Sequence, residues 1–392
     1  MTQYHIKGGV VYTMGPMGTI TNGQVLIADG KILEVGKHLV TPDRFEVIDA
    51  GASIIMPGMI DAHCHAGLIE SGMGFEGDDI NETSNPVTPE LRAIDGINFL
   101  DESFAEGCAA GVTTVATGPG SANPIGGTFA VLKTYGHTVE EMLVKHPLAM
   151  KMAFGENPKR VYANKSKSPV TRMATASIIR TWLSKAKEYA EKKDSAIKTG
   201  DPKLSPLFDA QLEALEMVIR KQIPIKAHAH RADDILTALR IAKEFDVDIT
   251  LDHCTEGHMI VEELARSGKK MIVGPSFLFK SKIELRNRTF RTVKALVDAK
   301  CLVAIMTDLP CSPLSFLPVA AGMAMREGLS EIDAMACVTI NPAKILGLEN
   351  RLGSIEPGKD ADVIIHDPNP FTDLLGKNHM TMINGNIVYR NT

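Results

Sequence analysis

His63 and His65 stand one residue apart, directly after the apolar run Ile54 to Ile60. On an extended chain alternate residues share a face, so both imidazoles can point at one metal ion. Two histidines so placed also make an ordinary polar strand face, and the pattern needs partners. They lie far downstream. His228 closes the run Ile223-Pro224-Ile225-Lys226-Ala227, His253 closes Ile249-Thr250-Leu251-Asp252, and Asp308 closes Leu302-Val303-Ala304-Ile305-Met306-Thr307. Four apolar strands each end in a residue that binds divalent metal. Ends so distant along the chain meet when parallel strands close into a barrel, whose C-terminal strand ends converge on one mouth.

These residues carry a resemblance. The opening Pro57-Gly58-Met59-Ile60-Asp61-Ala62-His63-Cys64-His65, His228, His253, the pair Thr307-Asp308, and the tail from Asn341-Pro342-Ala343 through Gly353-Ser354-Ile355-Glu356-Pro357-Gly358-Lys359-Asp360-Ala361-Asp362 resemble the amidohydrolase superfamily. The branch of imidazolonepropionases and dipeptide-cleaving relatives is nearest, and the match spans nearly the whole chain. The resemblance implies a TIM-type (β/α)8 barrel of α/β class with a small β-sandwich built from both termini. It also implies a binuclear metal centre, with His63, His65 and Asp308 on the more buried ion and His228 with His253 on the second. Zinc suits this ligand set, and manganese, iron or cobalt could occupy it. An anion must join the two ions, and superfamily members use a carboxylated lysine or a glutamate. Glu156 lies just past the strand Leu148 to Phe154 and Lys151 lies inside it. Glu156 is preferred, since it sits at a strand end and resembles the strand-three glutamate of the sugar-amide deacetylase branch.

The chemistry expected of such a centre is hydrolysis of a carbon-nitrogen bond in a cyclic amide, N-acyl amino acid or dipeptide. A hydroxide held between two divalent ions is nucleophilic near neutral pH, and one ion polarises the scissile carbonyl. Asp308 can take the proton on attack and return it to the leaving nitrogen. His230 shares a strand end with His228 and is a candidate substrate hydrogen-bonder, or a group that orients a ligand. Two mouth loops are basic: Lys159 to Arg172 after Glu156, and Lys280 to Arg291 after strand seven. They imply a small anionic substrate, with Arg160 and Tyr162 as the candidate contacts nearest Glu156. The main alternative is a mononuclear deaminase of a heterocycle. Such enzymes carry a glutamate three residues after the strand-five histidine, and here that residue is Arg231. A non-catalytic assembly protein of the same fold would lack ligands, whereas all five strand-end ligands are present.

Bulk properties bound the rest. The chain has 392 residues, 44% of them hydrophobic, enough for one large barrel and a smaller attached unit. A net charge of -5, from 42 basic and 47 acidic residues, argues against nucleic acid as a partner. Six scattered cysteines without Cys-x-x-Cys spacing fit a reducing compartment, and Cys64 and Cys254 are read as small buried hydrophobes. No apolar stretch is long enough to span a membrane, so a cytoplasmic location is expected, with room left for a homo-oligomer.

Asp29-Gly30 and Asn384-Gly385 mark hairpins near the two ends, which predicts a discontinuous domain of residues 1–55 and 350–392 around a barrel of residues 56–349. Seven barrel strands are legible: Ile54 to Ile60, Val112 to Ala116, Leu148 to Phe154, Ile223 to Ala227, Val247 to Leu251, Lys270 to Val273, and Leu302 to Met306. An eighth is expected between Phe154 and Ile223, although Thr171 to Lys193 and Phe208 to Lys221 both read as helices. The glycine-rich stretch from Gly118 to Gly127 reads as a turn-rich connection.

Overall fold

The computed structural model describes residues 2–391. Its barrel strands are β1 (Met59–Cys64), β2 (Val112–Thr117), β3 (Ile125–Thr128 and Ala130–Lys133), β4 (Met150–Ala153), β5 (Ile225–Ala229), β6 (Ile249–His253), β7 (Lys270–Val273) and β8 (Val303–Ile305). Strands β4 to β8 pair in parallel and in sequence order, and β1 pairs in parallel with β2. Six of the seven expected strands are there, and the run Ile54 to Ile60 gives the barrel only its last residues, Met59 and Ile60. The expected position of the eighth is corrected. Between Phe154 and Ile223 the chain forms helices Glu156–Asn164, Arg172–Thr199 and Ala210–Ile219, and β4 passes directly to β5. The eighth seat is filled by β3, which runs against its neighbours. Its first half pairs antiparallel with β4 and its second half antiparallel with β2.

Alternation along the strands separates the two faces of the barrel. On β5, Ile225, Ala227 and Ala229 pack in one core cluster with Ile179 and Leu183 of the long helix, while Lys226, His228 and His230 face the other way. That helix starts where the Thr171 hydroxyl accepts the Ala174 N–H, and it stops at Gly200, which takes φ 68°. Both ends are thus written in the sequence.

Strands from the two chain ends form a second unit of two sheets. Ile54–Pro57 pairs antiparallel with Val363–Asp367 and in parallel with Val10–Tyr12, so N-terminal and C-terminal segments share one sheet. The other sheet holds Tyr4–Lys7, Gln24–Ala28, Lys31–Gly36 and Glu46–Asp49. Ile6, Val25, Ile27, Ile55, Val363 and Met382 make the core between them. The run Ile54 to Ile60, expected as one strand, is therefore two, which part at Gly58. A side chain there would collide with Thr113, whose Oγ1 would lie 2.2 Å from the added Cβ. Both hairpin turns have positive φ at both central residues, Asp29 with Gly30 and Asn384 with Gly385, as a tight type I′ turn requires.

The two units are joined by buried charge. Lys133, the last residue of β3, contacts Asp362 and lies 3.2 Å from Asp360, which also takes Lys31 at 2.6 Å and Arg351 at 2.7 Å. Among the described residues no helix is long and apolar enough to cross a membrane.

Candidate metal centre

Asp61, His63 and His65 alternate along β1 and its end, and so share the face that looks into the barrel. His63 Nε2 and His65 Nε2 each lie 3.3 Å from Asp308 Oδ1. The opposite nitrogens are engaged from behind. His65 Nδ1 is 2.6 Å from the Gly118 carbonyl, which fixes it as the donor and leaves Nε2 with its lone pair. His63 Nδ1 is 2.9 Å from Asp252 Oδ2, an ion-pair approach without hydrogen-bond alignment, and Asp252 takes Lys226 Nζ at 3.1 Å on its other oxygen. A carboxylate behind a ligating imidazole orients the ring and raises its basicity. Asp61 does a related job for the backbone: it accepts from His63 N at 3.1 Å, Thr307 N at 3.0 Å and Thr307 Oγ1 at 2.5 Å, and so ties β1 to the end of β8.

A second group faces the first. The rings of His228, His230 and His253 pack with centroids 4.3 to 4.7 Å apart, and each offers one ligand atom within 4.8 Å of the others. His253 Nδ1 reaches the Gly274 carbonyl at 2.9 Å, His230 Nδ1 reaches Thr255 Oγ1 at 2.7 Å, and His228 Nδ1 is 2.8 Å from His253 Nε2. Asp252 and His253 are neighbours on one strand and should point to opposite faces. His253 takes φ 73° and Cys254 φ 46°, and this left-handed kink turns the ring inward. Asp308 has φ 55°. Such backbone costs on the order of 1–3 kcal/mol per residue and persists where surrounding structure enforces it.

Electrostatics favour ligation. Burial, then the charge of Lys282, pushes His228 and His230 well below the usual imidazole range, and burial with His228 does the same for His253. All three are neutral, the form that binds metal. Burial works against the charge of Asp308, yet His253 and the contacts from His63 and His65 hold its carboxyl well below the ordinary range. Two ligands about 2.0–2.2 Å from one ion at a tetrahedral angle stand about 3.4 Å apart. The 3.3 Å separations around Asp308 match that spacing. The residues present therefore fit a divalent metal in two histidine-rich groups.

Not every expected residue joins them. Glu156 opens the helix Glu156–Asn164, and its carboxylate is a quarter exposed and 4.0 Å from Arg160. Gly155, at φ 83°, turns the chain away from the strand direction, so the carboxylate does not continue β4 into the barrel. Arg160 is more than half exposed. Tyr162 is buried, and its hydroxyl donates to Asn123 Oδ1 at 2.6 Å, fastening its helix to the loop before β3. Among the described residues none of the three has a polar contact with either histidine group. His230, expected as a substrate contact, sits with His228 and His253 in the second histidine group.

Lys151, the residue set aside in favour of Glu156, is inside. It is fully buried on β4, with Nζ 3.4 Å from His63 Nε2 and 5.3 Å over the Phe129 ring. Burial pulls its pKa down to about 8, although Asp252 and Asp308 oppose the fall. Lys226, Asp252 and Phe129 were missed as parts of the site; Asp252 could have been found as the acid preceding a strand-end histidine. Two residues of the basic loops are paired with buried carboxylates: Arg172 with Asp234 at 2.9 Å and Lys282 with Glu284 at 2.5 Å. A cavity of about 580 Å³ beside Pro119 and Gly120 is bordered by Asp78, Asp79, Glu82 and Glu90.

A model of the amidohydrolase family matches residues 54–388. An amidohydrolase named tasK from Hapsidospora irregularis is 30% identical over 89% of this chain, which spans 38% of that relative's length. An imidazolonepropionase of Geobacillus sp. (strain WCH70) is 24% identical over 96% of this chain and 92% of its own. The crystal structure of an amidohydrolase from Thermotoga maritima MSB8 superposes with a TM-score of 0.95 at 44% identity, covering 99% of this chain and 100% of that one.

Proposed function

The chain belongs to the amidohydrolase family, whose members act on carbon-nitrogen bonds of small molecules, and from that premise we propose that it is a binuclear metal hydrolase of an amide, cyclic amide or dipeptide bond. The observation that carries the reading is Asp308. One of its oxygens faces His63 and His65 at 3.3 Å, and the other is 4.0 Å from His253 Nδ1, so a single carboxylate looks at both histidine groups. A bound metal pair would activate water and polarise the scissile carbonyl.

The protein's own residues then have distinct tasks. His63, His65 and Asp308 hold one ion, and His228, His230 and His253 surround the other. Lys151 replaces Glu156 as the bridge in this reading. Its position beside His63 supports the choice, and so does its lowered pKa, because only the neutral amine can take up carbon dioxide as a carbamate. Asp308, ionised and acceptor-only, receives the proton on attack and delivers it to the leaving nitrogen. Asp252 and Lys226 keep the His63 ring aimed. Zinc fits the donor set of nitrogen and carboxylate oxygen.

The test combines elemental analysis of protein purified without chelator with a hydrolysis panel of dipeptides, N-acyl amino acids and lactams. About two metal equivalents per chain and turnover of at least one amide class are expected. One equivalent under metal-replete conditions, or inertness of fully loaded protein across the panel, would overturn the reading.

A further inference from the structure

One buried carboxylate near the centre is not used by this account. Glu284 lies in the loop after β7, in a short turn of helix, Ile283–Leu285, and its side chain is fully enclosed. Oε2 accepts the Glu156 N–H at 3.0 Å. Oε1 is paired only with the Lys282 ammonium, 2.5 Å away, and no other donor among the described residues reaches it. The same oxygen is 3.6 Å from His230 Nε2 and 3.8 Å from His228 Nε2, and His228 Nε2 is itself without a partner among the described residues.

These separations are too long for hydrogen bonds, which fall between about 2.7 and 3.2 Å. They are close to the spacing of two ligands on one ion, about 3.4 Å for tetrahedral geometry, and near the 3.3 Å seen around Asp308. A buried anion is repelled by imidazole nitrogens that present lone pairs to it unless a cation lies between. Lys282 supplies that cation here, with Nζ 2.5 Å from Glu284 Oε1 while it also donates to Asn157 Oδ1 at 3.0 Å.

We propose that Glu284 is a metal ligand, joining His228 and His230 on the second ion, and that Lys282 is the counter-ion that holds Glu284 while that ion is away. The inference rests on the two-group reading above. Metal uptake then exchanges partners: Glu284 turns to the ion, and the Lys282 ammonium is freed at the mouth. The loop has an anchor apart from residues 282 and 284, since Phe277 packs against Phe290 and Phe316 at 5.1 and 5.8 Å.

The experiment titrates chelator-stripped protein with Co²⁺, reading the affinity of each equivalent and the visible absorption band, for the parent, Glu284→Gln and Lys282→Gln. Glu284→Gln should weaken the second equivalent at least about tenfold and shift its band, with the first within about twofold. Lys282→Gln should tighten the second equivalent several-fold, because a competing cation is gone. Glu284→Gln that binds both equivalents like the parent, with an unchanged band, overturns the proposal. If Glu284→Gln does not fold, Lys282→Gln decides: affinity no tighter than parental overturns it. A parent that takes up one equivalent refutes the two-ion reading instead, and Glu284 is then judged on that equivalent, with tenfold weakening in support and parental binding against.

Discussion

Replacing Lys151 by alanine separates the two candidate bridges. The side chain is fully buried with Nζ 3.4 Å from His63 Nε2, so an ion on His63 would sit within a few ångströms of it. An ammonium about 4 Å from a divalent ion costs about 8 kcal/mol at an effective dielectric constant near 20. The protonated lysine and the first ion therefore exclude one another. With its pKa down to about 8, roughly one Lys151 in ten is neutral at pH 7, against roughly one in three thousand at the ordinary value of 10.5. The amine can then attack carbon dioxide, forming a C–N bond and releasing a proton, and the group becomes an anion that can hold both ions. Lys151→Ala should retain no more than about one metal equivalent and lose at least about a hundredfold in turnover, and acetate or propionate should restore part of both. Glu156→Gln should change neither. The assay is metal content after reconstitution with and without bicarbonate, together with ¹³C NMR of protein rebuilt in labelled bicarbonate. Reconstitution indifferent to bicarbonate, with two equivalents kept by Lys151→Ala, would refute this reasoning.

Asp308→Asn keeps an oxygen ligand of the same shape but cannot carry the proton; turnover should fall at least about a hundredfold while elemental analysis finds most of the metal still bound. Burial raises Asp61 from 3.8 to about 6, so the metal-free fold binds its proton more tightly than the unfolded chain does. The resulting stabilisation, about 3 kcal/mol, is complete below about pH 4 and lost as pH rises through 6, and chemical denaturation of Asp61→Asn apoprotein should show a flatter pH profile over that window. Lys133→Met leaves Asp362 without its lysine, whereas Asp360 keeps Lys31 and Arg351; the expected loss is about 3 kcal/mol, read as a lower denaturation midpoint with metal content unchanged.

The strand-end residues of the site were legible because apolar runs and their punctuation survive in a linear sequence. His63, His65, His228, His253 and Asp308 all close such runs, and the structure brings them together. What was hidden depends on backbone direction. Ile125-Gly126-Gly127-Thr128 looks like a loop, yet it is half of β3. Its glycines answer to close neighbours: a Cβ on Gly127 would lie 2.2 Å from the Leu91 carbonyl, and one on Gly126 would touch the Lys151 side chain at 3.4 Å. Glu156 looked like a strand-end ligand, but the turn at Gly155 redirects the chain into a helix. Lys151 looked like strand interior, and in a barrel the interior face is the site. Glu284 sits in a loop with no periodicity, so nothing in the linear pattern marks it.

The reversed strand β3 has a consequence for how the barrel holds its shape. Because its two halves pair with different neighbours, hydrogen-bonded strand pairing does not run unbroken around the wall. One shell contains β1, β2 and the second half of β3; the other runs from the first half of β3 through β4 to β8. They meet at Phe129, which exchanges hydrogen bonds with Leu148 and Ala149, and again where Asp308 N donates to His63 O and His65 N to Leu309 O. His63 and His65 belong to the first shell, and Asp308 follows the last strand of the second. An ion held by these three would be a clasp across the seam, closing a loop of over two hundred residues much as a disulfide would. Its removal should let the shells breathe apart at that edge before either loses its own strands.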